Sequence, residues 1–421
     1  MKFNIHEYVR ALPELDLSLR MPAAEFAARA ARLRQELEDR GLDAAVAYGT
    51  EYRPGDTGWL TGYDPHIEHT IVVMGPVKVL VLGSPDALRY AKEMMRIGEF
   101  RCLAASGIPD ADYPGYQYVS MGEALAEACG RPARDVGLLT PPDVLTWEAG
   151  QALRQAVAGK IVPMSDLMAD LRYIKSEQEL RMMRVAARLS TWGMQAMLRA
   201  IEPGVRELQV AACADYAMKY MGADRLGFTS IVMSGDRVTG NIGRATERVM
   251  RAGDMVVLGT SARYEGLTSA LGRTVVVGGA SADQAELIRH AARAHELAVG
   301  KLVRGGQARE VDLASRGYLK TVGLAPMYNV GHGIGWTEVF EKGIASQHST
   351  YCFPASIAIQ VDVGIVGVGY KSLPADGVGL RLEDPYLIDP AGKTERLTGL
   401  PLIGDLPDAS CRGRGAVGTS C

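Results

Sequence analysis

The chain has 421 residues, a net charge of −3, 47% hydrophobic and 23% charged residues, which predicts a globular protein of two domains, since one hydrophobic core rarely fills that length. The near-neutral balance, without long runs of either sign, argues against a nucleic-acid partner, and no apolar stretch approaches the roughly 20 residues needed to cross a bilayer. The six scattered cysteines form no C-x-x-C pair, which excludes a structural zinc site or a disulfide framework; Cys352 is expected to be a buried, inert thiol.

The N-terminus, MKFNIHEYVRALPELD, carries acidic residues where a secretory leader would be apolar, so a cytoplasmic location is expected. Residues 23–41 read as an amphipathic helix ended by Gly41, followed by a short apolar strand at 43–49. Runs at 70–74 and 77–83 read as a strand pair turned by Gly75-Pro76. Helices at 85–96, 121–129 and 144–158, with a strand at 136–139, complete an α/β pattern that places a domain boundary near residue 170. Two long helices, 176–201 and 205–221, open the second half on either side of Glu202-Pro203-Gly204. Strands at 228–234, 255–264 and 272–278, helices at 281–303 and 306–322, and a Gly-rich β-like region at 328–389 follow. This order predicts an α+β second domain, residues 171–403, with helices covering one face of a curved antiparallel sheet. The last residues, 404–421, are small and polar and read as a mobile tail.

Four blocks carry a family resemblance: LRYIKSEQELRMMRVAARLS, GDMVVLGTSARYEGLTSALGRTVVVG, NVGHGIGW and GVGLRLEDPYLI. In order and spacing they resemble the creatinase/prolidase/aminopeptidase P family, and the likeness extends over nearly the whole chain. It implies a smaller N-terminal α/β domain, residues 1–170, followed by a pita-bread C-terminal domain. It also implies a homodimer in which the N-terminal domain of one subunit reaches towards the active site of the other.

Metal-dependent members of that family use two aspartates, a histidine and two glutamates. Their carboxylates bridge two cations about 3.5–4 Å apart, which hold a hydroxide. Matched residue by residue, the aspartates fall on Gly259 and Ala270, the histidine on His332, and the glutamates on Asp362 and Glu383. A second histidine and a glutamate of the metallopeptidases fall on Val339 and Phe340. No acid lies in 267–277, so a shifted register does not restore the pair. The resemblance therefore implies loss of the dinuclear centre, with His332, Asp362 and Glu383 left as a set for one divalent metal at most. Creatinase, the metal-free member, does not match either: its catalytic histidine falls on Ile242 and its guanidinium-gripping acid on Gly272.

The leading expectation is a metal-independent enzyme without a cofactor, acting on a small polar molecule and hydrolysing an amide or amidine C–N bond. His332 would be the acid/base, with Asp362 and Glu383 beside it. Proton abstraction leading to elimination or isomerisation, a mononuclear metal hydrolase or lyase, and a non-catalytic binding protein remain as alternatives. Arg381 and Arg273 could instead neutralise one of the carboxylates in a structural pair. Candidate substrate contacts are Arg381, Asn241 and Arg244, together with Arg53, His66, Glu68 and His69 from the N-terminal domain. If the last segment is a strand, His66 and Glu68 share one face and His69 takes the other.

Overall fold

A computed structural model of the chain describes residues 2–104, 106, 110–240, 242–337 and 341–403. The tail expected at 404–421, and the candidate positions Asn241, Val339 and Phe340, lie outside the described residues.

The N-terminal α/β domain is built on β1 (Ala44–Gly49), β2 (Thr70–Met74), β3 (Val79–Gly83), β4 (Glu99–Leu103), β5 (Tyr118–Val119), β6 (Val136–Leu138) and β7 (Ile161–Pro163). Their order is β5-β4-β3-β2-β1-β6-β7. β1, β2 and β3 pair antiparallel, and the outer strands pair parallel. β1, β2 and β3 are buried along their whole length, which is why they read as continuous apolar runs rather than alternating ones. The helix Ala23–Asp39 buries Phe26, Ala30, Leu33 and Leu37, a 3.6-residue stripe, against this sheet.

The second sheet consists of β8 (Arg225–Ser234), β9 (Met255–Tyr264), β10 (Leu267–Val276), β11 (Gly331–Gly333), β12 (Glu341–Ala345), β13 (Ile357–Val366), β14 (Gly379–Ile388) and β15 (Thr394–Arg396). It runs β12-β11-β13-β14-β10-β9-β8, with β15 beside β14, and every pairing is antiparallel. The helices Glu177–Ala200, Glu207–Tyr220, Ala282–Val299 and Ala308–Thr321 lie behind it. The first begins at Ser176, whose hydroxyl accepts from the Glu179 amide while the Glu179 side chain accepts from the Ser176 amide. That reciprocal cap satisfies two donors that would otherwise be orphaned. This is the pita-bread arrangement expected from the sequence. Among the described residues no helix is long and apolar enough to cross a membrane.

The sheet's two faces differ. Val256, Leu258, Leu271 and Val275 point to the helices and share a core with Leu189 and Met194. The opposite face carries the intervening residues, and these include His332, Asp362, Arg381 and Glu383. The hairpin's second strand starts at Leu267, five residues before the predicted start at 272, because Glu265 and Gly266 take the positive φ of a tight turn. Cys352 is exposed, contrary to expectation.

Candidate functional site

Backbone register alone assembles the site. Asp362 pairs with Glu383, Glu383 with Gly272, Gly272 with Gly259, and Gly259 with Ile231. Directly opposed residues of antiparallel strands project to the same face, so these five form one row across β13, β14, β10, β9 and β8. His332, opposite Gln360, joins the same face from β11, as Gln360 lies two residues from Asp362. The result is three buried ligand-bearing side chains, His332, Asp362 and Glu383, whose candidate ligand atoms all lie within 4.8 Å of one another.

His332 is held by its backbone strand and by its ring. Nδ1 lies 3.2 Å from the Gly333 carbonyl. A carbonyl can only accept, so this contact calls for a proton on Nδ1. Nε2 lies 3.7 Å from Glu383 Oε1. Asp362 accepts from the Tyr328 hydroxyl at 3.0 Å. Tyr328 has room for its ring because position 364 is glycine: a Cβ there would collide with the phenol.

Arg381 binds both carboxylates. Its Nε lies 3.3 and 3.1 Å from the two oxygens of Asp362, and Nη2 lies 3.0 Å from Asp362 Oδ2 and 2.9 Å from Glu383 Oε2. Burial pushes the Asp362 carboxyl above its ordinary range; Arg381 opposes this and the neighbouring Glu383 charge adds to it. Burial acts the same way on Glu383, but Arg381 and His332 outweigh it and hold that carboxyl below the usual range. Asp362 is therefore the member of the pair that takes up a proton first. Burial keeps the Tyr328 phenol far above its ordinary value, reinforced by Asp362, so it stays a hydrogen-bond donor.

The donor set fits one divalent cation: an imidazole nitrogen and two carboxylates converge from one face. The positions that would supply further carboxylates carry none. A Cβ on Gly259 would already lie 3.3 Å from the Ile231 side chain, which fills that end of the row, and Ala270 is buried. Next to Ala270 sits a residue not anticipated from the sequence. Gln360 is fully buried and donates from Nε2 to the Ala270 carbonyl at 3.0 Å, leaving its Oε1 without a hydrogen-bond partner. Its only sequence signal is a lone amide inside the apolar strand IAIQVDVGI.

The other candidates lie elsewhere or do other things. Arg273 points to the helix side, where it pairs with Asp384 at 2.7 Å. Arg244 is exposed, and its carbonyl accepts from Arg237. Ile242 is exposed as well. Arg53 is exposed next to Thr50. His66 is exposed, 3.5 Å from Glu51. Glu68 has a buried oxygen without a partner, and His69 stacks on Tyr48 with ring centroids 5.4 Å apart. Residues 66–69 do not form a strand: Ile67 has a φ of +66°, which breaks the alternation on which the shared face of His66 and Glu68 depended. The loop is tied to the second sheet through Asp64, which binds Arg225 and Arg263.

The model of metallopeptidase family M24 matches residues 181–390, and that of the creatinase/prolidase N-terminal domain matches residues 29–174. The Xaa-Pro dipeptidase of Pyrococcus horikoshii is 32% identical over 237 residues, 56% of this chain and 65% of that protein. The Xaa-Pro dipeptidase of Pyrococcus furiosus is 32% identical over 240 residues, 55% of this chain and 67% of that protein. The matched segment thus spans about two-thirds of these relatives. Among solved structures, the Xaa-Pro dipeptidase from Bacillus anthracis superposes with a TM-score of 0.73 at 24% identity, covering 89% of this chain and 98% of that one. The prolidase from Pyrococcus horikoshii gives 0.74 at 22% identity, covering 89% and 100%. At that identity the superpositions speak to the fold alone.

These findings correct two expectations. A metal-independent enzyme is overturned by the match to a metallopeptidase family and by relatives named as Xaa-Pro dipeptidases. The absence of a cofactor falls with it, since His332, Asp362 and Glu383 form a donor cluster able to hold an ion. The physical reason for the error is that the missing carboxylates were given more weight than the three donors that remain, which were kept only as a single-metal alternative. With both family models matched in sequence order across the two sheets, the chain belongs to metallopeptidase family M24 and carries the creatinase/prolidase N-terminal domain.

Proposed function

We propose that this protein is a hydrolase of small peptides that cleaves an amide C–N bond at a single-metal centre held by His332, Asp362 and Glu383. The observation that carries the reading is the convergence of those three donors within 4.8 Å on one buried sheet face. The names of the relatives make Xaa-Pro dipeptides the first substrates to test. A divalent ion at such a site polarises a carbonyl and lowers the pKa of bound water. The protein's own contribution is to hold the donors: Gly333 orients His332, and Tyr328 orients Asp362. A single ion, and not a pair, follows from the lack of side-chain donors at Gly259 and Ala270.

The same reading makes the protein a homodimer whose N-terminal loop completes the neighbour's site. Tyr52 and Ile67 are 80% and 79% exposed, which supports a covered surface in the assembly. His66 and Arg53 on that loop, with Glu68 and His69 beside them, are the candidate contacts to a substrate in the neighbouring subunit.

The test uses chelator-treated protein supplied with Mn²⁺, Co²⁺ or Zn²⁺ and a panel of Xaa-Pro and other dipeptides, with released amino acids separated by chromatography. Hydrolysis that requires a metal and is lost in His332→Ala is the expected result. No release with any metal, or turnover unchanged in His332→Ala, would overturn the proposal. Light scattering tests the dimer.

A further inference from the structure

We infer that Arg381 is an internal competitor for the metal, so that the ion binds only by displacing the guanidinium from Asp362 and Glu383. This rests on the single-metal centre proposed above and concerns what governs its occupancy.

Arg381 contacts three of the four carboxylate oxygens of the donor set: both oxygens of Asp362, and Oε2 of Glu383. The fourth, Glu383 Oε1, faces His332. A cation coordinated by the two carboxylates needs oxygens that the guanidinium already holds. The placement of the arm is built into the strands. Arg381 lies two residues before Glu383 on β14 and so projects from the same face. Its stem crosses the lane beside Gly272, where a Cβ would lie 3.2 Å from Arg381 Cγ and 2.9 Å from Glu383 Cβ. The empty position 272 thus admits both side chains.

The electrostatics favour exclusion. Two carboxylates and one guanidinium leave a formal charge of −1 for a divalent ion, where the carboxylates alone would offer −2. Like charges a few ångströms apart in a buried site repel strongly. The guanidinium cannot yield by losing its proton, because an arginine side chain stays protonated in proteins. It must move instead. Arg381 therefore sets a threshold of metal concentration below which the protein remains in a guanidinium-closed state.

Isothermal titration of the chelator-treated full-length chain with Mn²⁺ tests this, with far-UV circular dichroism as the control for folding. Arg381→Gln removes the charge and is expected to bind Mn²⁺ at least about tenfold more tightly than the unsubstituted protein. Arg381→Lys keeps a charge but lacks the planar fork, and is expected to fall between the two. Should Arg381→Gln not fold, tighter binding by Arg381→Lys decides in favour. Equal or weaker binding by the folded variants overturns the competition and leaves the metal centre standing. Failure of the unsubstituted protein and both variants to bind Mn²⁺ overturns the centre itself, and the competition with it.

Discussion

Glu341→Gln should destabilise the protein by about 3 kcal/mol, although position 341 lies far along the chain from the helices it secures. Lys175 and Glu341 form an ion pair at 2.6 Å whose side chains are 0% and 1% exposed. Lys175 uses all three ammonium protons: on Glu341, on the Arg172 carbonyl at 2.5 Å and on the Tyr173 carbonyl at 3.3 Å. Glu341 also accepts from the Trp336 amide at 2.9 Å and lies 3.8 Å from Arg172 Nε. The side-chain amide that Glu341→Gln introduces would keep the bond from Trp336 but leave a buried ammonium without its counter-charge. Removing one partner of a buried pair costs about 3–5 kcal/mol; the two remaining carbonyls place this case at the lower end. Lys175→Met should cost a similar amount, because it strands the carboxylate. The double variant should lose about 2 kcal/mol less than the sum of the singles, since neither orphan then remains. Urea unfolding followed by tryptophan fluorescence and circular dichroism measures all three. Single variants within about 1 kcal/mol of the parent, or strict additivity, would refute the assignment of a coupled buried pair.

Gly272→Ala should destabilise by about 1–3 kcal/mol through overpacking, as the new methyl lies 2.9 Å from Glu383 Cβ, whereas Gly259→Ala, at 3.3 Å from Ile231, should cost less; thermal unfolding of the pair gives the comparison. Gly259→Asp combined with Ala270→Asp should raise the bound-metal stoichiometry from one to two ions, measured by elemental analysis after equilibrium dialysis; a stoichiometry unchanged from the parent's would refute it. His295 is wholly buried, with Nε2 3.0 Å from the Val361 carbonyl, and burial foremost lowers its pKa to about 3. The unfolded chain takes the proton near pH 6.5 and the fold resists it, so this contribution is complete above pH 6.5 and is lost progressively as the pH falls towards 3. Between pH 7 and pH 5 it removes about 2 kcal/mol. His295→Gln, which keeps a donor for Val361, should flatten the pH dependence of urea unfolding by that amount, and an unchanged slope would count against it.

The strands and long helices were legible because their periodicity is local: the strand at 255–264 and the turn at Gly75-Pro76 need nothing beyond their own residues. His332, Asp362 and Glu383 were legible through their motifs, and antiparallel register then brings them together. What registers between strands decide was not legible. Gln360 looks like one polar residue in an apolar strand until its pairing with His332 is known. Arg381 was weighed as a substrate contact and as a structural pair, and its spacing from Glu383 is the same in both cases. The segment at 66–69 misled because a single positive φ at Ile67 is invisible in an otherwise strand-like run. Metal dependence was misjudged for a different reason: the ligands absent from the sequence were given more weight than the three donors that remain.

Trp336 follows His332 by four residues and is itself buried between the two sheets' domains. Its indole nitrogen donates to Glu179, its face lies 5.1 Å from the Arg29 guanidinium, and glycines at 58 and 266 leave space for its ring. The segment that delivers the imidazole is therefore also the mortar of the domain seam. A C-terminal half expressed alone would keep every ligand yet lose the wall against which this segment is set. Its hydrolytic and metal-binding properties would then report a loosened frame, and shuffling N-terminal domains among relatives would alter the centre without touching one of its donors.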